Sequence, residues 1–354
     1  MHILDRYVGL AVIGSTLMVM NVLLGLFSFV QFVVELEVVG KGDYGVWQAL
    51  QYVILSMPRL AYQMMPLAAL LGSLIGLGLL ASNNELVIMR ASGVSVRRIT
   101  WAAIKAGLVM MVVAILLSEF VIADAEQRAQ EIRSGSLAES GSLRTAEGFW
   151  TRSGNDFINV RAVLPGGKLL GINIYQLGEQ RQLHLIATAR AATYDSGRWK
   201  LEKVAQSTIG ENGVGTSHLD HMNWASRLSP GLLDILAVKP ESLSAWGLYK
   251  YILYLTENDL DSARYEMELW TKIVLPFATV VMVYLAVPFV FGPLRSGGIG
   301  QRVLVGALVG IGFYVVTRIF NYVGLVYDFE PVLGTLLPTV MFLVIAHWMM
   351  RRVR

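Results

Sequence analysis

Ser82-Asn83-Asn84-Glu85-Leu86-Val87-Ile88-Met89-Arg90-Ala91-Ser92-Gly93-Val94-Ser95-Val96-Arg97-Arg98 is a polar interlude between two long apolar runs. Ser82 is placed to cap a helix, with Glu85 as its capping-box partner three residues on. Gly93 is placed to stop that helix, so the interval predicts about ten helical residues. Glu85 faces Ile88 and Met89 at i+3 and i+4, which leaves it no basic partner on the same helix. Arg90 points elsewhere. Two readings of Glu85 stand side by side. Either it caps its own helix, or, beside exposed Leu86, Val87 and Met89, it is a plug for a socket on another protein.

The flanking runs decide the fold class. Of 354 residues, 55% are apolar and the mean hydropathy is +0.54, above the roughly 45–50% apolar content of a soluble domain. Residues 7–34 carry no formal charge. As a helix they run about 42 Å, longer than the ~30 Å hydrocarbon core, so the helix must tilt or protrude. This run is also too long for the apolar part of a cleavable signal. Residues 60–84 are uncharged too, with a helix start expected near Val53 and a kink at Pro58 or Pro66. Ile99–Ile122 is the third span, with Lys105 and Glu119 near its ends. Trp270–Phe291, Val303–Val326 and Pro331–Met350 complete six transmembrane helices.

Between the third and fourth spans lie about 140 polar residues, the size of one domain. Asp124–Arg133 continues the third helix. Alternating runs follow at 148–151, Phe157–Val163, Leu170–Tyr175, His184–Thr188 and Trp199–Val204. Pro165-Gly166-Gly167 and Asp195-Ser196-Gly197 mark turns. The expected fold is an α-helical membrane protein with an inserted antiparallel β domain, whether sandwich, β-jellyroll or open barrel. The domains expected are 1–123 with the polar helix at 83–93, then 124–262, then 263–354, with helical residues at 241–262.

Basic residues near span ends set the orientation. Arg90, Arg97 and Arg98 follow the second span, Arg295 and Arg302 the fourth, and Arg351, Arg352 and Arg354 the sixth. The opposite connections offer Asp328 and Glu330, or Glu35, Glu37 and Asp43 against Lys41. Both termini and the Glu85 helix are therefore expected in the cytoplasm, with the β domain outside.

Catalytic motifs are scarce. The net charge of +3 is too small to imply nucleic acid, and the absence of Cys excludes disulfides and thiol chemistry. Neither Gly40-Lys41 nor Gly167-Lys168 has the upstream glycine of a Walker A loop, so the chain is not expected to hydrolyse ATP alone. Gly76-Leu77-Gly78-Leu79-Leu80-Ala81 resembles a dinucleotide loop only by its letters. Gly72-x-x-x-Gly76 and Gly306-x-x-x-Gly310 read as close helix-packing surfaces. His218 and His221 lack a third metal ligand, so a surface role is expected. Three cations lie at the outer membrane level: Arg59, Lys272 and Arg318. A charge in a span usually faces an interior or a partner, and the Arg fork suits phosphate oxygens. Lys272 has Glu268 at i−4 as an alternative partner. Arg318 has no acidic residue at i±3 or i±4 and can instead snorkel. Arg59 has no such partner either.

These features together resemble the lipopolysaccharide export permeases of the YjgP/YjgQ type, over the whole chain. The residues that carry the resemblance are Leu4-Asp5-Arg6-Tyr7, Pro66–Gly72, Glu85–Gly93 and Phe291-Gly292-Pro293-Leu294-Arg295. The last stretch favours one of the family's two paralogues. The resemblance implies a permease with no cofactor of its own, driven by a partner ATPase dimer, LptB, which binds the ATP and Mg. Glu85, Leu86, Met89 and Arg90 would dock on that ATPase. The second permease would be LptF, with LptC inserting a helix at a lateral gate and an LptA bridge beyond. Arg59 and Lys272 match basic positions of the family and, with Arg318, would meet the lipid's phosphates. Phe27, Val30, Gln31, Tyr314 and Phe320 would line the gate. One departure is that Gln31–Glu37 holds no basic residue where relatives carry lysines, a task that Arg318 would take over. An ion-coupled secondary transporter would call for mid-membrane carboxylates and internal repeats, and neither is evident. A membrane-anchored periplasmic chaperone would not need six spans.

Overall fold

The computed structural model describes residues 3–138, 149–153, 156–164, 168–178, 182–195, 198–210, 213–224, 243–258, 260–292, 298–327 and 330–352. In chain order, the first helices are α1 (Ile3–Leu36), α2 (Val46–Ser82), α3 (Glu85–Ala91) and α4 (Val96–Leu116). One π-helical turn, Leu117–Val121, joins α4 to α5 (Ile122–Ala138). After the sheet come α6 (Ala245–Glu257), α7 (Ala263–Phe291), α8 (Ile299–Val326) and α9 (Pro331–Arg352). Among the described residues six stretches are long and apolar enough to cross a membrane: α1, α2, α4 with α5 as far as Arg133, α7, α8 and α9.

α2 and α7 form the centre of the bundle. Within their most apolar windows 72% and 67% of residues are buried, against 11% for α1 and 17% for α8, so the last two present their faces outward. The core joins Leu70, Leu74 and Leu77 of α2 to Met282, Val283 and Ala286 of α7. The glycine pairs make the close approaches. A Cβ at Gly72 would collide with Thr16 of α1, and one at Gly76 would lie 2.6 Å from the Ala11 carbonyl oxygen. A Cβ at Gly306 would lie 2.6 Å from Leu74 Cδ1, and one at Gly310 would collide with Leu67. Both Gly-x-x-x-Gly motifs are packing surfaces, as expected. α2 begins at Val46 rather than Val53, and is one continuous helix through Pro58 and Pro66. Gln48 Oε1 accepts from the Gly45 N–H at its start (3.1 Å), and packed neighbours hold the proline turns in place.

The described strands of the inserted domain form one antiparallel sheet. Its strands are β1 (Phe149–Ser153), β2 (Asp156–Leu164), β3 (Lys168–Leu177), β4 (Leu183–Asp195), β5 (Arg198–Gly210) and β6 (Gly213–Trp224), paired in sequential order. The described strands thus form an up-and-down meander, not a Greek key. β6 does not stand out in the sequence because all but its last few residues are exposed, with Val214 and Leu219 scattered among polar residues rather than alternating. A crease crosses five strands at one level. Arg161, Gly171, Arg190, Lys203 and Asp220 stand at that level and drop out of the ladder, although register is the same on both sides. Gly171 (φ +61°) and Lys203 (φ +51°) take the left-handed conformation there. The inward face changes parity across the crease, since Leu169 and Ile172 are both buried, as are Leu201 and Val204. Irregularities of this kind bend strands, and aligned ones fold the sheet over on itself. Residues from both halves share one apolar cluster. Trp224 Nε1 on β6 donates to Asp156 Oδ2 on β2 (3.3 Å) although three strands separate them in sheet order.

α6 fastens this domain to the bundle. Tyr251, Tyr254 and Leu255 enter the sheet's cluster, and Tyr251 meets Tyr265 of α7 edge-on at 4.5 Å. Burial raises the Tyr251 phenol well above its ordinary range. At the start of α6, Ser244 Oγ caps the Gly247 N–H (3.0 Å), and Glu119 of the π turn accepts from the Ala245 N–H (3.1 Å). That carboxylate also suits the positive end of the helix dipole.

Candidate functional site

α3 sits on the end of the bundle opposite the sheet. α2 runs through Ser82, whose hydroxyl bonds back to the carbonyls of Gly78 (2.9 Å) and Leu79 (3.1 Å). Ser82 is therefore not the cap expected from sequence. Asn84 occupies that position at φ 60°, a left-handed conformation that Asn tolerates, and it turns the chain. Gly93 does end the helix, at φ +91°, with Val94 N–H to Met89 O and Gly93 N–H to Arg90 O both at 3.0 Å. This is a Schellman closure. The helix is consequently seven residues long.

The helix has two faces. Leu86 is buried in the chain's own core and Met89 packs against it, which corrects the expectation that both are exposed. Val87 (46% exposed) and Ile88 (65%) are the apolar side chains that face outward, with Arg90 beside them. Glu85 is not a free charge. Tyr7 Oη of α1 donates to its Oε2 at 2.6 Å, and Asn83 Nδ2 to its Oε1 at 3.3 Å. Close by, Lys105 Nζ of α4 pairs with buried Asp5 of α1 at 2.6 Å. α1 is thus tied at its first turns to both α3 and α4. Tyr7 stands out in the sequence only within Leu4-Asp5-Arg6-Tyr7, and nothing local links it to position 85, 78 residues away. Arg302 was also missed, having served only to orient the chain. It is 1% exposed and lies over Gly78, where a Cβ would stand 2.7 Å from its Cδ. The glycines of the spurious dinucleotide motif thus make room for Ala11 and Arg302.

The other end of the bundle holds the expected cations in three different settings. Arg59 of α2 does have a partner, Glu126 of α5, at 3.2 Å. Contacts across helices are invisible to i±4 counting. Arg133 of α5 pairs with Glu35 of α1 at 2.7 Å and lies 5.4 Å from the Tyr52 ring centroid. Tyr44 Oη donates to the same Glu35 at 3.0 Å, and burial with that carboxylate pushes its phenol above the ordinary range. Lys272 is buried in α7, with Glu268 and Glu119 as its near charges. Arg318 is exposed on α8. Its Nε donates to Tyr314 Oη (3.1 Å) and its guanidinium lies 5.3 Å from that ring's centroid.

Phe27 and Val30 of α1 and Tyr314 of α8 are exposed, while Gln31 and Phe320 are half-buried. α1 and α8 both pack on α2 and barely touch each other. They leave two outward apolar faces.

A six-span bundle with a β domain inserted after its third span, and an amphipathic helix on its opposite end, is consistent with a permease subunit of the ABC-transporter class. Residues 6–352 match the family model described as lipopolysaccharide export system permease LptF/LptG, and the chain belongs to that family. It is similar to the lipopolysaccharide export system permease protein LptG of Haemophilus influenzae, at 37% identity over 353 residues covering 99% of each chain. The LptG of Escherichia coli K12 is 34% identical over 353 residues, 99% of this chain and 98% of that one. The chain is a multi-pass inner-membrane protein with its β domain in the periplasm.

Proposed function

We propose that this chain extracts lipopolysaccharide from the outer leaflet of the inner membrane and passes it to a periplasmic β bridge. LptF would be its sister permease, LptC would occupy one gate, LptA would continue the bridge, and an LptB dimer would supply ATP hydrolysis. The observation that carries the reading is the bond from Tyr7 to Glu85. It joins the helix offered to the cytoplasm to the first span, whose other half bears Phe27, Val30 and Gln31. A tilt of α3 imposed by an ATPase then reaches the gate helix directly. The outward face of α3 suits a docked partner, with Val87 and Ile88 to bury, and Glu85 and Arg90 as oriented charges at the rim. The bare faces of α1 and α8 suit pairing with the corresponding spans of a second permease. Lipid would enter between them, past Tyr314 and Phe320. Arg318 is exposed on α8 and would meet a lipid phosphate there. Lys272 would contribute charge from the interior. Arg59 is committed to Glu126 and holds α5 in place.

Copurification tests this reading. From cells making all the subunits, the wild-type chain should bring down the ATPase, and Glu85→Ala should lose most of it. A Glu85→Ala chain that keeps an active ATPase would overturn coupling through α3.

A further inference from the structure

The crease of the β domain carries an arrangement that folding alone does not favour. Arg190 on β4 and Lys203 on β5 stand at opposed positions on neighbouring strands, between the pairs Ala189↔Val204 and Ala191↔Glu202. Like charges so placed destabilise a sheet. Arg161 on β2 occupies the same level, and its side chain lies against Gly171, where a Cβ would stand 3.0 Å from Arg161 Cβ and 3.5 Å from its Nε. Gly171 therefore leaves room for Arg161 to extend across β3 towards Arg190. Lys203 holds a positive φ, a conformation that costs energy in a non-glycine residue. Because parity changes at the crease, adjacent residues of one strand face the same side. Lys168, Arg190, Glu202, Lys203, Asp220 and His221 together line a cleft of about 540 Å³. Glu202 answers Lys168 at 4.0 Å. Among the described lining residues three cations, Lys168, Arg190 and Lys203, face two carboxylates, Glu202 and Asp220, so the lining keeps an excess of positive charge. Its volume suits a sugar-sized ligand.

We infer that this cleft binds a phosphate-bearing sugar, the phosphate bridging Arg190 and Lys203. A bound phosphate turns the opposed cations from a cost into two charge-assisted contacts. The glycan of the substrate would lie along the outside of the fold while the apolar cluster faces inward. This assignment to the substrate rests on the reading of the chain as a lipopolysaccharide permease; the anion site itself does not.

The test is fluorescence anisotropy on the full chain in detergent, without ATP. The probe is a delipidated, phosphorylated core oligosaccharide carrying a fluorophore, with glucose 1-phosphate and inorganic phosphate as competitors. The wild-type chain should bind it saturably. Arg190→Gln with Lys203→Gln should weaken binding about tenfold or more, and phosphatase treatment of the probe should do the same. Both positions are exposed, and an unchanged melting curve shows that the double variant is folded. Equal binding by wild type and double variant would overturn the proposal. Competition by glucose 1-phosphate and phosphate on a fluorescent sugar phosphate, with no binding of the core oligosaccharide, would uphold the anion site and overturn its assignment to the transported glycolipid.

Discussion

Removing Glu126 separates two roles for Arg59, holding a helix and holding a lipid. Glu126 is 1% exposed, and the Arg59 side chain 21% exposed. Removing one partner of a fully buried pair costs about 3–5 kcal/mol, because the other charge is left in a poor solvent. Water reaches part of Arg59, so the pair is not fully buried, and Glu126→Leu and Arg59→Met should each cost about 2 kcal/mol. The double variant removes both charges, roughly keeps the volume, and should cost about 1 kcal/mol. The single changes together then exceed the double by about 3 kcal/mol. The measurement is unfolding of the purified chain in mixed micelles by increasing SDS, followed by Trp fluorescence. Effects that add to within about 0.5 kcal/mol would refute a structural pair. The double variant should also retain lipopolysaccharide release, which it would lose if Arg59 were needed for the phosphates.

Tyr7→Phe removes one hydroxyl and should leave the ATPase bound while lowering the lipopolysaccharide released per ATP hydrolysed; an unchanged ratio would remove Tyr7 from the coupling path. Gly72→Leu, which overfills the contact with Thr16, should cost about 1–3 kcal/mol, read as a lowered Tm. Gly14→Leu, with nothing within 4 Å of its Cβ position, should be nearly neutral. Arg318→Ala should reduce photo-crosslinking of lipopolysaccharide and its stimulation of the ATPase, and if both stay at wild-type levels Arg318 is not a phosphate contact.

The spans were legible because membrane helices announce themselves by length and lack of charge. The glycine pairs were legible because small residues one turn apart have few other uses in an apolar helix. Partners distant in sequence were not legible. Glu126 for Arg59, Arg133 for Glu35 and Tyr7 for Glu85 become neighbours only when helices pack. Ser82 failed as a cap because Asn84 turns the chain two residues later. The polar strand β6 and the crease were hidden for a related reason: alternation reports one buried face, and neither feature keeps a regular one. The inward placement of Leu86 follows the same lesson, since a short amphipathic helix does not state which of its faces its own chain will cover.

The most direct test of the account is lipopolysaccharide release from proteoliposomes holding this chain with its sister permease, LptC and the ATPase. Release to a soluble β-bridge acceptor should require ATP, should fall to background with Glu85→Ala, and should be indifferent to a proton gradient. Release driven by a proton gradient without ATP, or undiminished in Glu85→Ala, would contradict it.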